Sequence, residues 1–89
     1  MRKINFSLQF NHSLKKLSRK QPEIIPALLE KVLLFNSEIN HPSLKLHKLS
    51  GRLKEHWYFS IEYDMRIIFR YTNDGNILFI DIGTHDQVY

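Results

Sequence analysis

The run Met65-Arg66-Ile67-Ile68-Phe69-Arg70-Tyr71-Thr72-Asn73-Asp74-Gly75-Asn76-Ile77-Leu78-Phe79-Ile80-Asp81-Ile82 decides the fold, because it reads as two apolar strands joined by one turn. Asn, Asp and Gly tolerate positive φ, so Asn73 to Asn76 marks a hairpin. Met65–Tyr71 then runs antiparallel to Ile77–Ile82. Along the first of these strands Ile67, Phe69 and Tyr71 share one face, while Arg66, Ile68 and Arg70 share the other. The apolar face is expected to pack on helices, which leaves the two arginines on a more open face.

Working outward, Trp57, Phe59, Ile61 and Tyr63 alternate with Tyr58, Ser60 and Glu62, the period of a half-buried strand. Trp57 belongs with the core in this register and Tyr58 with the open face. The preceding segment, Ser43 to Glu55, carries Lys45, Lys48, Arg52 and Lys54 around Gly51 and reads as a basic loop or short extended arm. Nearer the start, Ile4, Phe6, Leu8 and Phe10 alternate with polar residues and predict a first strand. Asn11 or Ser13 can cap a short helix with Leu14 and Leu17 inward and Lys15, Lys16, Arg19 and Lys20 outward. Ile25, Leu28, Leu29, Val32, Phe35 and Ile39 recur at helical spacing from Glu23 to about Glu38, behind Pro22, and Asn40-His41-Pro42 ends that helix. The order is βααβββ. This is an α+β chain in which a helical hairpin covers one face of a four-stranded, mainly antiparallel sheet.

With 89 residues, the chain suits one domain, 1–89, that buries about two thirds of its unfolded surface. Hydrophobic residues at 43% and charged ones at 25% argue against disorder, and no apolar run approaches the roughly 18 residues of a membrane span. No membrane partner is expected. The absence of cysteine removes disulfides and thiolate ligands and fits a reducing cytoplasm. Met1-Arg2-Lys3 leads into alternation rather than an apolar run, so no signal peptide is expected. A formal charge of +4 attracts polyanions and makes nucleic acid the leading partner class.

Arg66 and Arg70 can each hold a phosphate through two parallel hydrogen bonds. The plainer reading is a solvated sheet face on which they pair with Glu62 or Asp64. His85 follows the last strand, and an imidazole gives or takes a proton near neutrality. Its company is Arg66, Asp64 and Tyr89. His47, Asp64 and His85 are metal-ligating types without paired spacing, so neither a metal nor another cofactor is expected. There is no glycine-rich phosphate loop, no GxSxG elbow and no cysteine nucleophile. Tyr58 can stack on a base.

The segment LHKLSGRLKEHWYFSIEYDMRIIFRYTNDGNILFIDIGTHDQVY, Leu46 to Tyr89, resembles the C-terminal half of RelE/ParE-superfamily toxins of toxin-antitoxin modules. The resemblance rests on Leu49-Ser50-Gly51, the Asp64-to-Phe69 strand, the Asp-Gly turn, and Gly83-x-His85 before a terminal aromatic. It is most similar to the mRNA interferases of the YafQ, YoeB and RelE types. It implies a cytoplasmic endoribonuclease that cuts translated mRNA, typically on the ribosome, without a metal, and that a cognate antitoxin neutralises. The YafQ-type pattern falls on His47, Asp64, His85 and Tyr89, and the YoeB- and RelE-type arginine on Arg66. Ser60 stands where the YafQ type has a histidine. In the implied chemistry His85 is the acid, Arg66 stabilises the transition state, Glu62, Asp64 or His47 is the base, and Tyr89 orients or stacks. Lys15, Lys16, Arg19, Lys45, Lys48, Arg52 and Lys54 would contact phosphates. Two other outcomes remain open: a ParE-type gyrase inhibitor on the same fold, and a noncatalytic basic binding module or decayed toxin.

Overall fold

The structure, a computed structural model, describes residues 2–88. Strand β1 (Ile4–Phe6) leads into helices α1 (Leu8–Lys20) and α2 (Ile25–Ser37), followed by strands β2 (His47–Lys48), β3 (Trp57–Glu62), β4 (Met65–Tyr71) and β5 (Ile77–Gly83) and the single-turn helix α3 (His85–Val88). The sheet order is β1-β5-β4-β3-β2, with β1 parallel to β5 and the other neighbours antiparallel. The expected helical hairpin on a mainly antiparallel sheet is present. A fifth strand joins the four expected: two residues of the basic arm, His47 and Lys48, pair with Tyr58 and Trp57.

The core lies between the helices and one sheet face. Phe59, Ile67, Phe69 and Phe79 are fully buried there, and Phe35 of α2 stacks on Phe59 with ring centroids 4.4 Å apart. Phe35 also meets Phe69 and Phe79 edge-on at 4.9 and 5.7 Å. Offset and edge-to-face rings add about 0.5–1.5 kcal/mol per pair beyond burial, so this aromatic cluster fixes how α2 sits on β3, β4 and β5. Two leucines of α2 lie outside it: Leu29 is 58% and Leu33 69% exposed. The helical stripe proposed from spacing therefore included one residue, Leu29, that faces away from the core.

The start of α1 differs from the expected one. Alternation continues through Phe10, yet the strand stops at Phe6 and α1 begins at Leu8, capped by Ser7 rather than by Asn11 or Ser13. Ser7 Oγ accepts the Phe10 N–H at 2.9 Å and donates to the Ile80 carbonyl at 2.6 Å, while the Ser7 N–H donates to the Phe79 carbonyl at 3.0 Å. One hydroxyl thus ends β1, caps α1 and ties both to β5. Phe10, read as a strand residue, is a buried helix residue that packs on Phe79. At the other helix, Pro22–Ile24 form a 3-10 turn, so α2 begins two residues later than Glu23.

The β4–β5 turn is closed by Thr72. Its N–H donates to the Asn76 carbonyl at 2.9 Å, Gly75 adopts φ 82°, and the Thr72 hydroxyl bonds the Asp74 carboxylate. That hydroxyl, and then the Asn76 N–H, hold the Asp74 carboxyl below the ordinary range. A group depressed on folding stabilises above its unfolded pKa, and the benefit disappears as pH falls through the folded value. Unfolding in urea across about pH 2 to 5 should therefore show an acid-dependent loss in wild type that is smaller in Asp74→Asn. Ser7→Ala should cost about 1–2 kcal/mol in the same measurement at neutral pH.

Candidate active site

Cross-strand partners place side chains side by side on one face. On the face away from the helices, the register sets His47 beside Tyr58 and Tyr58 beside Ile68, with Ser60 beside Arg66 and Arg66 opposite Gly83 in the next row. The Arg66 guanidinium lies over the Tyr58 ring, 4.4 Å from Cζ to the centroid, and the His47 ring is 5.4 Å from the Tyr58 ring. An imidazole, an aromatic ring and a guanidinium thus form a continuous strip across β2, β3 and β4. Ile68, paired with Tyr58 and two residues along β4 from Arg66, is 3% exposed yet stands apart from the helix-side core cluster. Holding Arg66 against a ring fixes a flat, weakly hydrated cation in place.

Gly83, directly across from Arg66, is buried and ends β5; Thr84 follows, and His85 opens α3, which packs on β5 and β4. The ladder therefore delivers His85 two residues beyond the position facing Arg66. Its side chain is 57% exposed, with Nδ1 3.5 Å from the carboxylate of Asp86. Thr84 donates its N–H to Gln87 Oε1 at 2.9 Å. Sequence reasoning passed over Asp86 and Gln87, although Thr84-x-x-Gln87 has the spacing of a helix-capping pair.

The other candidates scatter around this centre. Glu62 and Asp64 flank the tight β3–β4 turn, where Tyr63 has φ 55°, and both are exposed near the Arg66 end of the strip. Arg70 is four residues along β4 from Arg66, a separation of roughly 13 Å, and its Nη1 donates to the Tyr71 carbonyl at 3.4 Å. It does not join the strip. Lys48 points to the other face, its Nζ 5.8 Å from the Trp57 ring. Lys45, in a left-handed conformation with φ 50°, and Arg52 and Lys54 are exposed on the segments flanking β2. Tyr89 lies outside the described residues. Among the described residues no three His, Asp or Glu side chains gather into a group able to hold a metal ion, so His47, Asp64 and His85 do not form a ligand set. No described helix is long and apolar enough to cross a membrane.

Beside α3 runs a cleft of about 480 Å³ lined by His12, Lys16 and Lys20 of α1 and by Asp81, Thr84 and Gln87. The α1 residues are spaced four apart and share one helix face. Lys16 and Lys20 thus line the cleft beside the backbone that carries His85.

A family profile described as the bacterial toxin of type II toxin-antitoxin systems, YafQ, matches residues 2–89. The chain belongs to the YafQ toxin family. Among solved structures, YafQ from E. coli strain BL21(DE3) superposes with a TM-score of 0.82 at 23% identity, covering 100% of this chain and 99% of that one. The E. coli DinJ-YafQ toxin-antitoxin complex gives 0.80 at 26% identity over 99% of this chain and 97% of the other. A YoeB/ParE toxin from Agrobacterium tumefaciens gives 0.77 at 15% identity over 96% and 99%, a likeness of fold. No curated protein sequence matches the chain.

Removing the ring beneath Arg66 should be felt in stability as well as in the site. Tyr58→Leu is expected to cost about 0.5–2 kcal/mol in urea unfolding; a loss of zero would mean that the ring and the guanidinium do not interact in solution.

Proposed function

We propose that this chain, a toxin of a type II toxin-antitoxin system, is a metal-independent endoribonuclease of the mRNA interferase kind. What supports the reading most is the strip His47–Tyr58–Arg66 with Arg66 opposite Gly83, two residues before His85. In this reading His47 supplies a proton-transfer group on the Tyr58 side of a cation suited to a phosphoryl group, and His85 supplies one from beyond the β5 end. Family membership over residues 2–89 adds the toxin class.

In this mechanism His47 takes the proton of a ribose 2′-OH. That oxygen attacks the adjacent phosphorus, and charge builds on the nonbridging oxygens, which Arg66 neutralises through charge-assisted hydrogen bonds. His85 then gives its proton to the departing 5′-oxygen. The bond to the 5′-oxygen breaks as the bond from the 2′-oxygen forms, leaving a 2′,3′-cyclic phosphate and a free 5′-hydroxyl. Of the three candidate bases, His47 is favoured because its ring contacts the same tyrosine that carries Arg66, whereas Glu62 and Asp64 sit at the turn. Tyr58 offers a stacking surface to a base, and Tyr89 is assigned an orienting or stacking role. Lys45, Arg52 and Lys54, with Lys16 and Lys20 of the α1 cleft, hold the backbone of mRNA and of ribosomal RNA. No cofactor is used.

The residues 1–89 act as one toxin domain in the cytoplasm, on translated mRNA at the ribosome. A cognate antitoxin neutralises it, as the DinJ-YafQ toxin-antitoxin complex suggests by likeness.

Mapping RNA 5′ ends in cells expressing the chain should reveal new cuts within translated messages. His85→Ala, Arg66→Ala and His47→Ala should each reduce cutting about 10²- to 10⁴-fold, with Asp64→Ala and Glu62→Ala much milder. A severe Asp64 or Glu62 defect beside an active His47 variant would move the base to the turn. Gyrase-dependent DNA breaks without RNA cuts would replace the nuclease reading with the ParE-type one, and binding with neither would leave a noncatalytic module. Affinity for a single-stranded RNA should also fall steeply with salt, and Lys54→Ala should flatten that dependence by about one unit of slope.

A further inference from the structure

Gly83 has no room for a side chain. A Cβ at this position would meet Gln87 Oε1 at 2.9 Å, Val88 Cγ1 at 3.0 Å and Gln87 Cβ at 3.1 Å. The backbone of β5 is therefore the seat on which α3 rests. A single helical turn fixes more backbone than its own hydrogen bonds repay, so four residues hold helical shape only where other contacts tie them down. Here the ties converge on Thr84: its N–H donates to Gln87 Oε1 at 2.9 Å, and its carbonyl accepts the N–H of Gln87 at 3.0 Å and that of Val88 at 3.1 Å. Thr84-x-x-Gln87 is the spacing at which a side chain three residues into a helix reaches back to the N–H of the residue before it. His85 lies inside this clamp, directly after Thr84.

We propose that Gln87 is a positioning residue: its side-chain oxygen clamps Thr84 while its stem fills the space above Gly83, and together these contacts fix where the His85 imidazole stands relative to Arg66 across the β4–β5 ladder. The inference rests on reading His85 as the acid of RNA cleavage. Gln87 touches no reacting atom. Its amide does not titrate, so its loss lowers the rate while leaving the shape of the pH–rate profile unchanged. What the clamp needs is an acceptor at this reach. Glutamate supplies one and serves the same capping role; methionine keeps the length and the apolar stem but offers only a weak sulfur acceptor. A displacement of about 1 Å in a reacting group can cost about 10²-fold, which sets the scale of the effect.

The test is cleavage of a translated reporter mRNA in a cell-free system, with wild type, His85→Ala, Gln87→Met, Gln87→Glu and Gly83→Ala compared. Thr84 amide exchange and thermal melting are read on the same proteins. Gln87→Met and Gly83→Ala should cut about 10- to 100-fold more slowly with melting temperatures near wild type, and Gln87→Glu should restore the rate. The Thr84 amide should be protected in wild type and in Gln87→Glu and exposed in Gln87→Met. Gln87→Met cutting at the wild-type rate beside an inactive His85→Ala would overturn the positioning role and leave the nuclease reading intact. Equal defects in Gln87→Met and Gln87→Glu, or an unprotected Thr84 amide in wild type, would overturn the clamp. A wild-type chain that cuts no RNA would remove the nuclease reading and the positioning role with it.

Discussion

The pairing of β4 with β5 is the constraint on which the other features depend. It sets Arg66 opposite Gly83, Ile67 opposite Ile82 and Phe69 opposite Phe79, with the irregularity between Ile68 and Phe69 leaving Ile80 as the extra residue on β5. A one-residue slip of a strand turns every side chain to the other face. Here it would bury the guanidinium among Phe35, Phe59 and Phe79 and expose Ile67. The aromatic core resists that slip, so the packing that stabilises the chain also holds Arg66 on the open face. Ile80 at the irregularity offers its carbonyl to Ser7, which shows how one local departure from the ladder anchors the N-terminal strand and helix.

The two sheet faces divide the work. One is closed by α1 and α2 over phenylalanines that are almost wholly buried. The other carries Arg66 stacked on Tyr58, with Ile68 paired beside that tyrosine and buried outside the helix-side cluster. This face presents a cation and an aromatic ring without exposing much aliphatic area. His85 stands just beyond the end of β5, on a turn of helix seated against Gly83 and tied to Thr84 by Gln87. In the proposed mechanism a rigid cation therefore works with an acid mounted on a small, separately clamped element.

Much of this was legible in the sequence where local signals and tertiary packing agree. The β4 and β5 runs and the Asn-Asp-Gly turn are strong because burial, alternation and turn chemistry coincide, and β3 follows from the same alternation. The extent of β1 was misread because Phe10 continues the alternating pattern as well as it serves a helix. What ends the strand is Ser7 bonding Ile80, a contact 73 residues away that no local pattern reveals. The two-residue β2 is equally silent, since His47 and Lys48 become a strand only by pairing with β3. Arg66 and His85 could be singled out by residue type, but the stacking of Arg66 on Tyr58 and the adjacency of His47 depend on register. Arg70 is equivalent to Arg66 by sequence pattern and differs because it lies two pleat repeats further from the β5 end.

The most direct test is titration of the isotope-labelled protein with a short RNA whose reactive ribose carries no 2′-hydroxyl, so that it binds without being cut. A shared catalytic site requires that the ring resonances of His47 and His85 and the guanidinium resonance of Arg66 shift together, following one binding curve. Shifts confined to the lysines of α1 or to the loop around Arg52, with the two imidazoles unmoved, would contradict it.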